Sequence, residues 1–225
     1  ASVDLPTLLG VTPLMAAAYN GHLSIVLVLL QHSASIDLQS NIGGTALMSA
    51  TCAGHEACVK ALLRAKANTE LLDSYGRTAL QGAEMNGHTA TAQLIRQHTA
   101  PPKPAAAAPA APPDPVEPAE SSPASLPLEI YESAQRGELQ KVVKWLRKGG
   151  SVDALCPTTR KSGKPAAFGL LHIAASYGHL ALVKELLKRG ASVDLPSSLG
   201  FTALMDAAGY GHPSIVLVLL QNSAN

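Results

Sequence analysis

The residues best suited to chemistry in this chain are five histidines, each directly after a glycine. They are His22, His55, His88, His179 and His212. Zinc needs all its ligands within about 2.0–2.3 Å of one ion. The first three histidines, and likewise the last two, are 33 residues apart, as members of successive stacked units would be. We therefore predict a structural role for them in turns and second helices, and no metal site.

Two further patterns resemble functional motifs and fail on their details. Lys164 follows a glycine, as in a phosphate-binding loop, but Thr158 replaces the required upstream glycine and Pro165 the required serine or threonine. Neither a Gly-x-Ser-x-Gly elbow nor a catalytic arrangement of cysteine, histidine and asparagine is visible. The sequence therefore predicts a protein that is not an enzyme and binds no cofactor.

The three cysteines, Cys52, Cys58 and Cys156, are odd in number and lack metal-ligand spacing. They are expected to be free thiols in a reducing compartment. No signal-peptide pattern is visible, and the longest aliphatic run, residues 25–30, is far shorter than the ~18 residues of a membrane span. The expected location is the cytoplasm, with the nucleus left open.

Charge gives little indication of a partner except at one insert. The net charge of +1 predicts neither a nucleic-acid nor a membrane partner. Residues 127–225 carry 11 basic and 7 acidic side chains, whereas residues 1–98 carry 5 and 6. Part of this excess lies in an insert, at Arg160, Lys161 and Lys164. The insert is predicted either to attract an acidic protein partner or to be a solvated loop.

A unit of 33 residues must position all of these side chains. Thr12, Thr45 and Thr78 have this spacing, and each follows a glycine-containing turn and suits a helix N-cap. A short alanine-rich helix, a Gly-His turn and a second helix with valine and paired leucines follow. With 47% hydrophobic and only 4% aromatic residues, burial rests on small aliphatic side chains. The pattern predicts helix–turn–helix units stacked into a solenoid.

The unit resembles the ankyrin repeat. The family pattern, Gly-x-Thr-Pro-Leu-His-x-Ala-Ala-x-x-Gly-His followed by Val, Leu-Leu and Gly-Ala, is matched in spacing, caps and apolar positions outside one proline-rich stretch. The family histidine after leucine is retained only at His172, and the helix-ending glycine is replaced by Ser33, Lys66 and Ser223. A side chain at positive φ there costs about 1 kcal/mol or more. The resemblance implies an all-α, ankyrin-type α-solenoid with β-turn fingers.

The resemblance also implies a binding face, made of the turn tips and the exposed end of each first helix. Six of the chain's eight aromatic residues fall in these positions, together with leucines and an arginine. Tyrosine and arginine are enriched in interface hot spots, although some rings could instead cover their own unit. The predicted partner-binding residues are Leu8, Leu9, Tyr19, Tyr75, Arg77, Phe168, Tyr177, Leu199, Phe201 and Tyr210, with Arg160, Lys161 and Lys164 of the insert.

Composition divides the chain into three parts. Residues 1–98 are predicted to form an array of three repeats, and residues 126–225 a polar capping repeat followed by two more. Residues 99–125 contain nine of the 16 prolines and read as a Pro/Ala-rich linker. In an extended conformation of roughly 3.1 Å per residue the linker would span about 80 Å.

A longer repeat lies above the short one, because residues 191–225 match residues 1–35 at 25 of 35 positions. Overlaying the two suggests a five-repeat cassette and a chain cut from a longer protein, with both arrays truncated. The tail that should follow Asn225 is the sequence found at residues 1–6. We therefore expect that the second array could dock its open end on the start of the first, within one chain or between two.

The predicted function is a non-catalytic scaffold that binds an unidentified protein through the concave face of the repeats. One alternative is a structural spacer whose arrays assemble end to end. Another is the targeting module of an enzyme encoded outside this sequence.

Overall fold

The computed structural model describes residues 2–98, 125–159 and 165–222, which form twelve helices and two strands. The first helices of six helix pairs are α1 (Pro13–Tyr19), α3 (Ala46–Ala53), α5 (Ala79–Met85), α7 (Leu128–Gln135), α9 (Leu170–Ser176) and α11 (Ala203–Tyr210). The second helices are α2 (Leu23–Gln31), α4 (Glu56–Arg64), α6 (Thr89–His98), α8 (Leu139–Arg147), α10 (Leu180–Lys188) and α12 (Pro213–Gln221). None of these helices has the length and hydropathy that crossing a bilayer requires.

Threonine side chains begin four of the first helices, as predicted. Thr12, Thr45 and Thr202 each accept a hydrogen bond from the backbone N–H three residues later. Thr78 does the same, and the side chain of Gln81 accepts in return from the Thr78 N–H, which completes a capping box. These bonds satisfy N–H groups that a helix leaves unpaired at its start.

The ends of the second helices confirm the expected strain. Ser33 has φ of 62° and Lys66 has φ of 68°, the only non-glycine residues at positive φ in the described part of the chain. At the equivalent place α10 is followed by Gly190, with φ of 82°. Ser223 lies outside the described residues.

The insert forms part of a β-hairpin, where the sequence predicted a loop. Strand β1 (Leu155–Thr159) pairs antiparallel with β2 (Pro165–Gly169), in a register that sets Leu155 opposite Gly169. The extra residues lengthen the turn finger until its two arms can form a ladder. Ser125, placed by sequence at the end of the linker, bridges to Leu155, and the next backbone N–H, of Leu126, donates to the same carbonyl. The three insert cations lie outside the described residues, as does the linker from 99 to 124.

The core is one continuous layer between the first and second helices. First helices pack against first helices of neighbouring pairs, and second helices against second helices. Each contact is made by small and branched side chains with almost no exposed surface, such as Ala17, Leu29, Leu62, Val183 and Leu219. Close approach of this kind is what an alanine-rich, aromatic-poor composition permits.

The order of the helix pairs in space differs from their order in the chain. Helix α9 lies between α7 and α11, and α3 lies between α1 and α5. Helix α11 also packs against α1, and α12 packs against α2. The pair α11/α12 is therefore followed in the stack by α1/α2, and we call this contact the α11/α1 junction.

The α11/α1 junction repeats the hydrogen bonds of the other steps of the stack. The backbone N–H of Ser2 donates to the Asp194 carboxylate at 2.9 Å. Equivalent bonds of the same length run from Ser35 to Asp4, from Asn68 to Asp37 and from Ser192 to Asp153. Ala1 and Asn225, the termini on which the sequence-based docking argument rests, lie outside the described residues.

Candidate binding surface

The Gly-His histidines connect successive helix pairs. His88 Nε2 lies 3.0 Å from the carbonyl oxygen of Cys52, at the end of the preceding first helix. The equivalent contacts join His179 to Gln135 at 2.7 Å, His212 to Ser176 at 3.0 Å and, across the α11/α1 junction, His22 to Gly209 at 3.0 Å. Each bond satisfies a carbonyl that a helix end leaves unpaired.

The glycine before each histidine has two reasons for its identity. Gly21 has φ of 75°, which disfavours a side chain, and a Cβ there would lie 2.6 Å from the ring of His55 in the next pair. Gly211 stands in the same relation to His22, at 2.8 Å. The predicted structural role of the pairs is therefore explained: the glycine makes room for the histidine that ties the next unit to it.

Large exposed hydrophobic side chains are distributed unevenly over the described surface. Among the second helices only Leu27 and Leu217 are such residues. The rest lie mainly in the turn fingers and at the ends of first helices, and they include Leu8, Leu9, Tyr19, Tyr75, Tyr177 and Tyr210, at 55–72% exposure. We call the turn tips and the exposed side of the first helices the concave face.

The finger after α4 holds its aromatic residue rigidly. Arg77 lies with its guanidinium carbon 4.5 Å from the ring centre of Tyr75, and it pairs with Asp73 at 2.7 Å. Burial acts to raise the pKa of Asp73, but hydrogen bonds from the Arg77 side chain and from the N–H groups of Arg77 and Tyr75 outweigh it and lower that pKa. Tyr75 is 72% exposed despite this support.

Three of the predicted binding residues are less available than the sequence suggested. Phe168, Leu199 and Phe201 are only partly exposed. Phe168 packs against the core and meets the His172 ring edge to face, with ring centres 6.4 Å apart. The backbone carbonyl of Phe201 accepts a hydrogen bond from His172. These residues cover their own units, as the alternative reading of the aromatic positions anticipated.

A cavity of about 540 Å³ opens between α7, α9, α11 and the β-hairpin. Its aromatic lining comes from Tyr131, Phe168, Tyr177 and Tyr210. The structure thus brings together three predicted binding residues, Phe168, Tyr177 and Tyr210, from three separate turns. The other predicted residues, which include Leu8, Tyr19 and Tyr75, lie elsewhere on the surface.

Polar groups of this cavity are held by the fold. His172 is buried; its Nδ1 accepts from the Gly169 N–H at 3.3 Å and its Nε2–H donates to the Phe201 carbonyl at 2.9 Å. Burial lowers the pKa of this histidine, and both bonds require the neutral ring. Burial, and secondarily Tyr177, raise the pKa of Tyr131. Asp206, in the first turn of α11, adds a carboxylate to the lining.

The sequence reasoning missed Tyr131, His172 and Asp206 as lining residues. A signal for Asp206 existed, because the near-copy of this unit has Ala16 at the same place. Tyr131 occupies the position in its unit that His172 occupies in the next, counted from Gly137 and Gly178. Both residues belong to a side of the first helix that the prediction treated as core.

The cysteines differ in accessibility. Cys52 is exposed on α3, whereas Cys58 and Cys156 are buried, and all three are free thiols. Burial raises the pKa of each thiol. A raised pKa leaves little thiolate, so none of them is an activated nucleophile.

Comparison with known families agrees with the architecture. The sequence profile described as ankyrin repeats (three copies) matches residues 14–104 and 130–225, well over half of the chain. Ankyrin repeats are generally protein–protein interaction modules and are typically non-catalytic. No curated protein gives a significant match. The stacked helix pairs, the turn fingers and the family profile together place this chain in the ankyrin-repeat family.

Proposed function

We propose that this chain is a scaffold that binds a protein partner through its concave face. The observation that carries the proposal is the placement of the exposed tyrosines. Tyr19, Tyr75, Tyr177 and Tyr210 lie on turn fingers or at the ends of first helices, and the described second helices carry none. Surface composition this uneven is typical of an interaction site.

The rigidity of one finger supports this role. Tyr75 is fixed by the Arg77–Asp73 pair beneath it, so little conformational entropy is lost when a partner covers the ring. Leu8 and Leu9, each 70% exposed, offer apolar surface on another finger. Arg160, Lys161 and Lys164 remain predicted contacts for an acidic region of the partner.

A selection experiment tests the proposal. Peptides or small domains selected from a display library against the whole chain should bind Tyr75→Ala at least about tenfold more weakly, as expected for a hot spot. Leu27→Ala is the matched control, because Leu27 is 44% exposed but lies on second helix α2. Selected binders that lose affinity for Leu27→Ala and retain it for Tyr75→Ala would reject the concave face.

A second candidate role is end-to-end contact between the parts of the chain that hold α7–α12 and α1–α6. It is favoured by the α11/α1 junction, where bonds of Ser2 and His22 have the geometry of other steps of the stack. Such contact would join two short arrays into one longer binding surface, within a chain or between chains.

Cross-linking distinguishes these cases. Cysteines introduced at Leu8 and Leu199, in a Cys52→Ser background, would lie in adjacent fingers, because a Cβ at Gly200 would come 2.7 Å from the Leu8 backbone nitrogen. A short bismaleimide should give a cross-linked monomer if the contact forms within the chain, and a covalent dimer if it forms between chains. Absence of both products would reject the contact.

A further inference from the structure

We propose that the cavity between α7, α9 and α11 binds the arginine side chain of a protein partner. The inference rests on the proposed concave-face function, because exposed Tyr177 and Tyr210 form part of the cavity and of that face. It goes further by naming the chemistry that the cavity recognises.

The shape and lining suit a flat cation. Four aromatic rings, from Tyr131, Phe168, Tyr177 and Tyr210, surround a space of about 540 Å³. Ring faces attract a cation within about 6 Å of their centres, and the attraction strengthens when the site excludes water. This space lies within the roughly 300–1,000 Å³ of ordinary ligand pockets and accommodates a guanidinium with its aliphatic stem.

The charge of the lining points the same way. Asp206 supplies a carboxylate, and the described residues that line the cavity include no lysine or arginine. His172 is neutral, since both ring nitrogens are engaged in bonds that fix one tautomer. A guanidinium fits better than an ammonium, because it can stack on a ring and at the same time donate two parallel hydrogen bonds to a carboxylate.

The near-copy of this unit shows that the fold does not need the residues in question. Ala16 and Asn20 of the first unit stand where the copy has Asp206 and Tyr210. Both units begin at a capping threonine and place the same leucine–methionine pair in the core. Since α1 folds with alanine and asparagine, the carboxylate and the ring of α11 are available for recognition.

The test uses small probes and the whole chain. Nα-acetyl-arginine methylamide, titrated while the NMR signals of the tyrosine rings are followed, should bind with a dissociation constant on the order of millimolar, as expected for so small a ligand. Its citrulline counterpart has nearly the same shape and no charge, and it should bind at least about tenfold more weakly. The lysine counterpart should also bind more weakly than the arginine probe.

Two substitutions taken from the near-copy complete the design. Asp206→Ala and Tyr210→Asn should each weaken arginine-probe binding by about tenfold, with an unchanged melting transition, and Tyr19→Ala should leave it unchanged. Equal binding of arginine and citrulline, equal binding of lysine and arginine, or full binding by both variants would overturn the inference. No partner is needed, so a negative titration leaves the display experiment with Tyr75→Ala to judge the concave face separately.

Discussion

The units containing α1/α2 and α11/α12 are near-copies of one repeat with different surfaces. Their second helices share Ile25 with Ile215 and Leu29 with Leu219, all fully buried. Six of their ten differences lie in the finger or on the exposed side of the first helix, at residues 7, 8, 11, 16, 19 and 20 of the first copy. The comparison teaches that the repeat divides its residues into a framework that stays constant and a surface that varies.

The largest expected effect concerns the shared framework. Leu29→Ala and Leu219→Ala should each lower the free energy of unfolding by about 2–5 kcal/mol, as buried leucine truncations do. Leu219 sits on α12, which packs between α10 and α2, so the two costs should be similar. Urea denaturation of both variants measures them. A much smaller cost at Leu219 would mean that α12 is not covered by α2 in solution.

The second prediction compares two carboxylates at equivalent places. Asp4 accepts from the Ser35 N–H within one run of repeats, and Asp194 accepts from the Ser2 N–H across the junction. Replacing either by alanine should cost about 1 kcal/mol, the typical net value of one hydrogen bond. Thermal unfolding checks this, and a neutral Asp194→Ala beside a destabilising Asp4→Ala would break the likeness of the two copies.

The third prediction uses the end of the first copy. Ser33→Gly should stabilise the protein by roughly 0.5–1 kcal/mol, because Ser33 has φ of 62° and glycine relieves that strain. His32→Gly is the control, since His32 has an ordinary φ of −91° and should be destabilised by the added chain entropy. Denaturation midpoints that move the same way for both variants would contradict the strain argument.

The smallest expected effect on stability is an exchange of surfaces. Converting Asp206, Gly209 and Tyr210 to Ala, Tyr and Asn gives α11 the exposed face of α1, and should change stability by only about 0.5 kcal/mol. The same variant should lose binding of the arginine probe. Calorimetry and the NMR titration together measure both results, and a large destabilisation would show that these positions belong to the framework after all.

Much of the fold could be predicted because it repeats. A capping threonine, a Gly-His pair and buried leucines recur at a fixed period, and each acts through contacts inside one unit or with its immediate neighbour. The positive φ of Ser33 and Lys66 followed from the same logic, since the helix must end in a left-handed residue whatever its side chain. The division into two arrays and a linker stays a prediction.

The candidate site was harder to predict, because it depends on residues that do not repeat. The exposed tyrosines were found from their positions in the unit. Tyr131 and Asp206 were missed, since only the stacking of α7, α9 and α11 brings them to one cavity. The hairpin that carries Phe168 was expected as a loop, because an insertion has no periodic pattern to indicate its pairing.

The sequence by itself determined the unit, its caps, its buried face and the positions open to variation, because these follow from local spacing and from near-neighbour contacts. The tertiary structure decided which variable residues meet. It placed Asp206 among rings from three other turns, and it set α11 against α1, far apart in the chain. Contacts of that kind depend on the order in which units stack, and that order is not written in the pattern of any single repeat.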